Sequence, residues 1–143
     1  MKRQPLLYLD ASAIVKLVLV EHESAAVRTA VGRARLAASE LVVAEVPRAL
    51  ARLRSGTAEA ARIRREERRV LAGLDLVPLT RPLLTSAGRL GPSRLRTLDA
   101  VHVASALTLG SELDALVSYD RRQLDAAGRA GLAVMSPGPA ASA

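Results

Sequence analysis

Four carboxylates stand where a chain ordinarily puts none. Asp10 leaves the apolar run Leu6-Leu7-Tyr8-Leu9 and leads into "ASAIVKLVLV", whose single charge is Lys16. Glu45 lies in the mostly apolar "SELVVAEVPRAL", Asp99 in "RTLDAVHVASAL", and Asp120 directly after "ALVSY". A carboxylate in apolar surroundings is costly unless something positive or a hydrogen-bond donor meets it. Each has an ordinary explanation alone, since Asp99 suits a helix N-terminus and Asp120 suits a turn. Together they are better accounted for by a shared cation. The chain has no Cys and two His, which argues against zinc. Oxygen ligands fit a hard ion, Mg²⁺ or Mn²⁺. Acids holding such an ion beside a basic surface suggest phosphodiester hydrolysis, with the ion orienting water and neutralising charge on the phosphate. Without the ion the acids repel one another, so at least one should titrate above its ordinary range.

The elements that must carry these residues alternate. Leu6 to Leu9 reads as a strand, and Ser12 to Val20 and Ser24 to Val31 read as helices, each capped by its opening Ser. A short strand at Leu36 to Ala38 precedes a helix capped by Ser39 and running to about Leu53, with Pro47 inside it to kink it or break a hydrogen bond. Thr57 caps a charged helix; Leu76 to Leu79 is a strand, Pro82 to Leu90 a helix, and "GPSRLRT" a loop. Thr97 caps a helix over Leu98 to Leu109 that ends at Gly110. Ala115 to Tyr119 and Leu132 to Met135 are strands on either side of a helix over Arg121 to Arg129. This alternation predicts an α/β fold, a three-layer α/β/α sandwich on a mostly parallel sheet. Ligands in such folds bind beyond the carboxyl ends of the strands, which is where Asp10 and Asp120 emerge. We read one domain over residues 1–137 and a flexible tail over 138–143.

Composition narrows the rest. Half of the 143 residues are apolar, yet there are two Tyr and no Phe or Trp, so the core must be Leu, Val and Ala. No apolar run is long enough to span a membrane, and the N-terminus lacks the pattern of a signal peptide, so a soluble, cytoplasmic protein is expected. The net charge of +7 suits a polyanion, although a GC-rich genome that writes Arg for Lys would give the same balance.

The four motifs, "LYLDASAIVKL", "SELVVAEVPRAL", "LRTLDAVHVASAL" and "LVSYDRRQLDAAGRAGLAVMSPG", in this order and spacing, resemble the PIN-domain nucleases, most closely the VapC-type toxins of bacterial toxin–antitoxin pairs. The resemblance implies a Mg²⁺- or Mn²⁺-dependent endoribonuclease leaving a 5′-phosphate and a 3′-hydroxyl. Asp10, Glu45, Asp99 and Asp120 fall on the family's acidic positions, with Asp10, Asp99 and Asp120 as metal ligands and Glu45 ligating or orienting the water. Ser12 falls on the small hydroxyl residue after the first acid, and Ser118 on the hydroxyl position before the last, where Thr is more usual. A homodimer, an RNA substrate (transfer or ribosomal) and a VapB-type antitoxin are implied as well. Asp114 competes with Asp120 as fourth acid; Asp120 is favoured because it ends a strand and Asp114 precedes one.

Other residues carry weaker signals. Glu40 reads as first-turn charge, Glu21 and His22 as solvated, and His102 as a helix-packing residue. Lys16 either snorkels or helps to hold phosphate. Arg62 can pair with Glu66 along "ARIRREERRV", whereas Arg64, Arg65, Arg68 and Arg69 form rows that can track an RNA backbone. Two rival functions remain. A haloacid-dehalogenase-type phosphatase would want a second Asp where Ser12 stands and a late Lys that the chain lacks. A PIN-fold RNA-binding module with weak or no turnover would keep the acids without metal-dependent cleavage.

Overall fold

The computed structural model describes residues 3–53 and 56–138. Five strands, β1 (Leu6–Leu9), β2 (Arg35–Ser39), β3 (Asp75–Val77), β4 (Ala115–Val117) and β5 (Val134–Met135), form one sheet in the order β3-β2-β1-β4-β5, every pair parallel. Seven helices connect them: α1 (Ala11–Val18), α2 (Ser24–Val31), α3 (Val42–Ala51), α4 (Thr57–Ala72), α5 (Arg81–Gly88), α6 (Thr97–Leu107) and α7 (Arg121–Arg129). The expected three-layer sandwich is what forms.

β1 lies at the centre and is buried along its whole length. Side chains alternate across a strand, so Leu7 and Leu9 face one layer and Tyr8 the other. The first layer packs Ile14, Val18, Val27, Val42, Val46, Ile63 and Val70 from α1 to α4 against the sheet. The second packs Val103, Ala106, Ala126 and Ala127 of α6 and α7 around Tyr8 and Leu116. Small Ala residues let α6 and α7 sit close, which is how a chain almost without aromatics fills its core.

Caps account for most differences from the expected boundaries. α1 starts at Ala11 because Asp10 is its N-cap, its side chain accepting from the Ala13 amide; Ser12 lies inside the first turn. The Ser24 hydroxyl joins the α1–α2 turn, accepting from Glu21 N and donating to Leu19 O. Ser39 ends β2 rather than capping α3, and Arg96, not Thr97, holds the cap position of α6. α3 runs unbroken through Pro47, which has no N–H to offer the Val43 carbonyl. β3 and β4 stop at Val77 and Val117, short of Leu79 and Tyr119. Of the predicted tail, residues 139–143 lie outside the described residues.

Candidate active site

Asp10 is 5 % exposed, and its burial is met by hydrogen bonds. Ser12 Oγ donates to Oδ1 at 2.6 Å, the Ala13 amide to the same oxygen at 3.0 Å, and Ser118 Oγ to Oδ2 at 2.5 Å. The same hydroxyls accept from the next loop: Tyr119 N donates to Ser12 Oγ at 2.9 Å, and Asp120 N to Ser118 Oγ at 3.0 Å. The ends of β1 and β4, adjacent in the sheet, are thus stitched through one carboxylate. Burial raises the Asp10 pKa despite the opposing bonds from Ser118, Ser12 and Ala13. Three of the roughly four acceptor directions of a carboxylate are used, so one remains for another ligand.

Asp120 caps α7, its Oδ1 accepting from Arg122 N at 2.9 Å. Asp99 sits in the first turn of α6, and its pKa is raised by burial first, then by the charges of Asp120 and Asp10. The Asp99 carboxyl thus feels the charges of Asp120 and Asp10 at the carboxyl edge of the sheet. Gln123, buried on α7, helps to hold the α6 end by donating from Nε2 to the Asp99 carbonyl at 3.4 Å. Its position three residues past Asp120 was the only sign of it in the sequence.

Glu45 is turned toward a different partner. Its Oε1 meets His102 Nε2 at 2.7 Å, and His102 Nδ1 meets the Tyr8 hydroxyl at 2.7 Å. Ser39 N donates to that same hydroxyl at 3.1 Å. The amide can only donate, so Tyr8 accepts from it and passes its own proton toward Nδ1. The pattern thereby assigns a hydrogen on Nε2, aimed at Glu45. His102 does pack between helix and sheet, but it also ties Glu45 to the core. Burial pushes the Tyr8 hydroxyl pKa far up, which keeps it a donor. Among the described residues, no three His, Asp or Glu side chains close into a ready cage for an ion. The donors available are all hard oxygens with one free direction on Asp10. That suits Mg²⁺ or Mn²⁺ holding most of its own waters better than a fully dehydrated ion.

The PIN domain family matches residues 7–129, the span that carries all four acids. The chain belongs to the PIN-domain family. Within it, the chain is similar to Ribonuclease VapC46 of Mycobacterium tuberculosis, 48 % identical over 132 residues that cover 92 % of this chain and 97 % of the relative. Ribonuclease VapC47 of the same species is 39 % identical, with 93 % and 98 % covered. The crystal structure of PAE2754 from Pyrobaculum aerophilum matches with a TM-score of 0.61 at 26 % identity, covering 91 % of this chain and 83 % of that one. The chain thus stands with the VapC-type PIN proteins.

Other candidates of this PIN domain fall elsewhere. Asp114 lies at the opposite edge of the sheet, accepting from Leu6 N at 2.8 Å and from Arg3 at 3.0 Å. These donors hold its pKa down, the Leu6 amide most. It lies away from Asp10, whereas the Asp120 amide bonds to Ser118, which holds Asp10. Lys16 is engaged by Glu21 at 2.7 Å and Glu23 at 2.9 Å, above the Tyr119 ring, so as placed it is not free for phosphate. Glu21 is exposed, as expected, and pairs with Lys16 as well. Glu40 anchors the loop after β3, accepting from Leu79 N at 3.2 Å. On α4, Arg62 pairs with Glu59 at 3.7 Å instead of Glu66, which is taken by Arg69. Arg64, Arg65 and Arg68 are exposed without such a partner among the described residues.

Proposed function

We propose that this chain is a metal-dependent endoribonuclease of the VapC type, cutting a structured cellular RNA by hydrolysis of a phosphodiester. The observation that carries it is the hydrogen-bonded edge that gathers the acids: Ser12 and Ser118 hold Asp10, Ser118 also takes the Asp120 amide, and Gln123 of the helix that Asp120 caps donates to the Asp99 carbonyl. The two ribonuclease-named relatives that span nearly the whole chain support it. Asp10, Asp99 and Asp120 would hold a Mg²⁺ or Mn²⁺ ion. Bound there, the ion would supply Lewis acidity toward the phosphate and relieve the repulsion among the acids.

The remaining work falls to the chain's own groups. Ser12 and Ser118 hold both oxygens of Asp10, fixing the direction of its free lone pair. Glu45, held by His102 and 20 % exposed, offers a carboxylate that orients the attacking water. Arg64, Arg65 and Arg68 add counter-charge for the RNA backbone, without an aromatic side chain on α4 to stack on bases. The VapC relationship also supports a homodimer, and inhibition by a VapB-type antitoxin covering the acids.

The test is incubation of the purified protein with total cellular RNA in Mg²⁺, in Mn²⁺ and in EDTA, beside Asp10→Asn. Discrete cuts that need the metal and vanish in the variant are the expected result. A folded, antitoxin-free wild type that binds RNA and never cuts it assigns the chain to a binding module instead. Cutting undiminished in Asp10→Asn would refute the placement of the site.

A further inference from the structure

Beside the acids lies a second feature that the cleavage reading does not use. A cavity of about 430 Å³ opens between the loop before α6 and the exposed side of α7, lined by Pro92, Arg94, Leu95, Arg96, Arg122 and Ala126 with Asp125. Its volume lies within the range of ordinary ligand sites. Arg94, Arg96 and Arg122 all border it, and among the described residues none of their guanidinium groups has an ion-pair or hydrogen-bond partner. The one acid in the lining is already committed, since Asp125 accepts from Arg129 at 2.9 Å. Three exposed, unpaired guanidiniums around one space concentrate positive charge that an anion would offset, and their planar forks suit phosphate oxygens.

The cleft also joins the acidic edge. Arg96 holds the cap position of α6 three residues before Asp99, and its charge acts on that carboxyl. Arg122 donates its backbone amide to Asp120. A strand with one phosphate over Asp99 and Asp120 therefore lays a neighbouring phosphate toward the arginines. Pro92, Leu95 and Ala126 give the space an apolar wall that a ribose can cover, and no aromatic residue lines it to stack a base.

We propose that this cleft is a phosphate subsite that seats the RNA backbone one or a few nucleotides from the cut, fixing register by backbone contact and not by base. The inference rests on the ribonuclease reading. An acidic segment of a protein partner is the rival occupant. Bare guanidiniums beside a site for a polyanion favour RNA.

The test measures binding without cleavage. Asp10→Asn in EDTA is titrated with a short fluorescein-labelled single-stranded RNA of mixed sequence across a KCl series. The same background then carries Arg94→Gln, Arg96→Gln and Arg122→Gln together. A charge-matched control carries Arg33→Gln, Arg81→Gln and Arg89→Gln, all exposed and none lining the cleft. Single strands lose about 0.7 in the slope of log K against log salt per phosphate contact, so the cleft variant should lose about 2 while the control loses little. Melting curves establish that all three proteins are folded.

Equal slopes in the cleft variant and the control overturn the subsite, because the effect is then net charge alone. An unchanged slope in the cleft variant also overturns it, because the arginines then make no phosphate contact. Either result leaves ribonuclease activity intact. A parent that neither binds this RNA nor, as wild type, cuts cellular RNA in metal refutes the ribonuclease reading itself.

Discussion

The Tyr8–His102 contact gives the sharpest energetic test of the fold around the acids. Tyr8 is fully buried, and His102 is 3 % exposed. His102→Leu keeps an apolar side chain of comparable bulk in place, so the principal loss is polar. The Tyr8 proton loses its acceptor in an apolar setting, which costs about 1–3 kcal/mol. Glu45 loses its donor, but at 20 % exposure it can turn toward water, adding about 1 kcal/mol. The sum of about 2–4 kcal/mol corresponds to a fall of roughly 6–16 °C in Tm for a chain of this length. Tyr8→Phe strands the Ser39 amide and His102 Nδ1, a loss of similar size. The double variant removes both sides of the 2.7 Å contact at once, so it should be less destabilised than the two losses added, by about 0.5–3 kcal/mol. Urea unfolding of the four proteins in EDTA measures this. Additivity within about 0.5 kcal/mol would refute the bonded chain from Ser39 through Tyr8 and His102 to Glu45.

Three further outcomes follow from the site. Asp10 titrates higher in the folded state than in the unfolded chain, so its ionisation opposes folding: the penalty is absent below the unfolded pKa and complete above the raised folded one. Asp10→Asn should therefore gain stability relative to wild type as the pH rises from the unfolded value of 3.8 through the raised folded pKa; unfolding curves in EDTA showing the difference shrinking would contradict this. Mg²⁺ should raise the Tm of the wild type, by the equivalent of about 2.7 kcal/mol at a hundred times its Kd, and EDTA should reverse it. The shift should be lost in Asp10→Asn with Asp99→Asn, as differential scanning fluorimetry would record. Asp114→Ala should lower Tm slightly, through the lost bonds to Leu6 and Arg3, and leave the rate of RNA cleavage unchanged.

The alternation of strands and helices was legible because burial on both faces of a parallel sheet writes nearly continuous apolar runs such as Leu6 to Leu9. The acids were legible because Asp10 interrupts such a run. Cap identity was not, since Asp10 and Ser12 are both good capping residues and periodicity cannot choose between them. Along α4, residues three and four apart are equally near, so Glu59 rather than Glu66 could take Arg62. The role of His102 was hidden for a different reason. Its partners Glu45 and Tyr8 lie 57 and 94 residues away in the chain, and only the stacking of α3, β1 and α6 brings them together. Asp114 competed with Asp120 only through closeness in sequence, and its place before a strand rather than after one puts it at the far edge of the sheet in space.

The stitch between the ends of β1 and β4 bears on when the site can exist during synthesis. Ser118 and Asp10 are separated by 108 residues, and the central strand waits for β4 on one side. An emerging chain can form α1 and pair β1 with β2, yet it still lacks Ser118 and Asp120. Pairing over such a separation is also slow to form. A nascent chain that ends before Ser118 therefore lacks the stitch on Asp10 however much of it has folded. The order in which the chain is made thus leaves the cluster of acids among the last parts of the molecule to assemble.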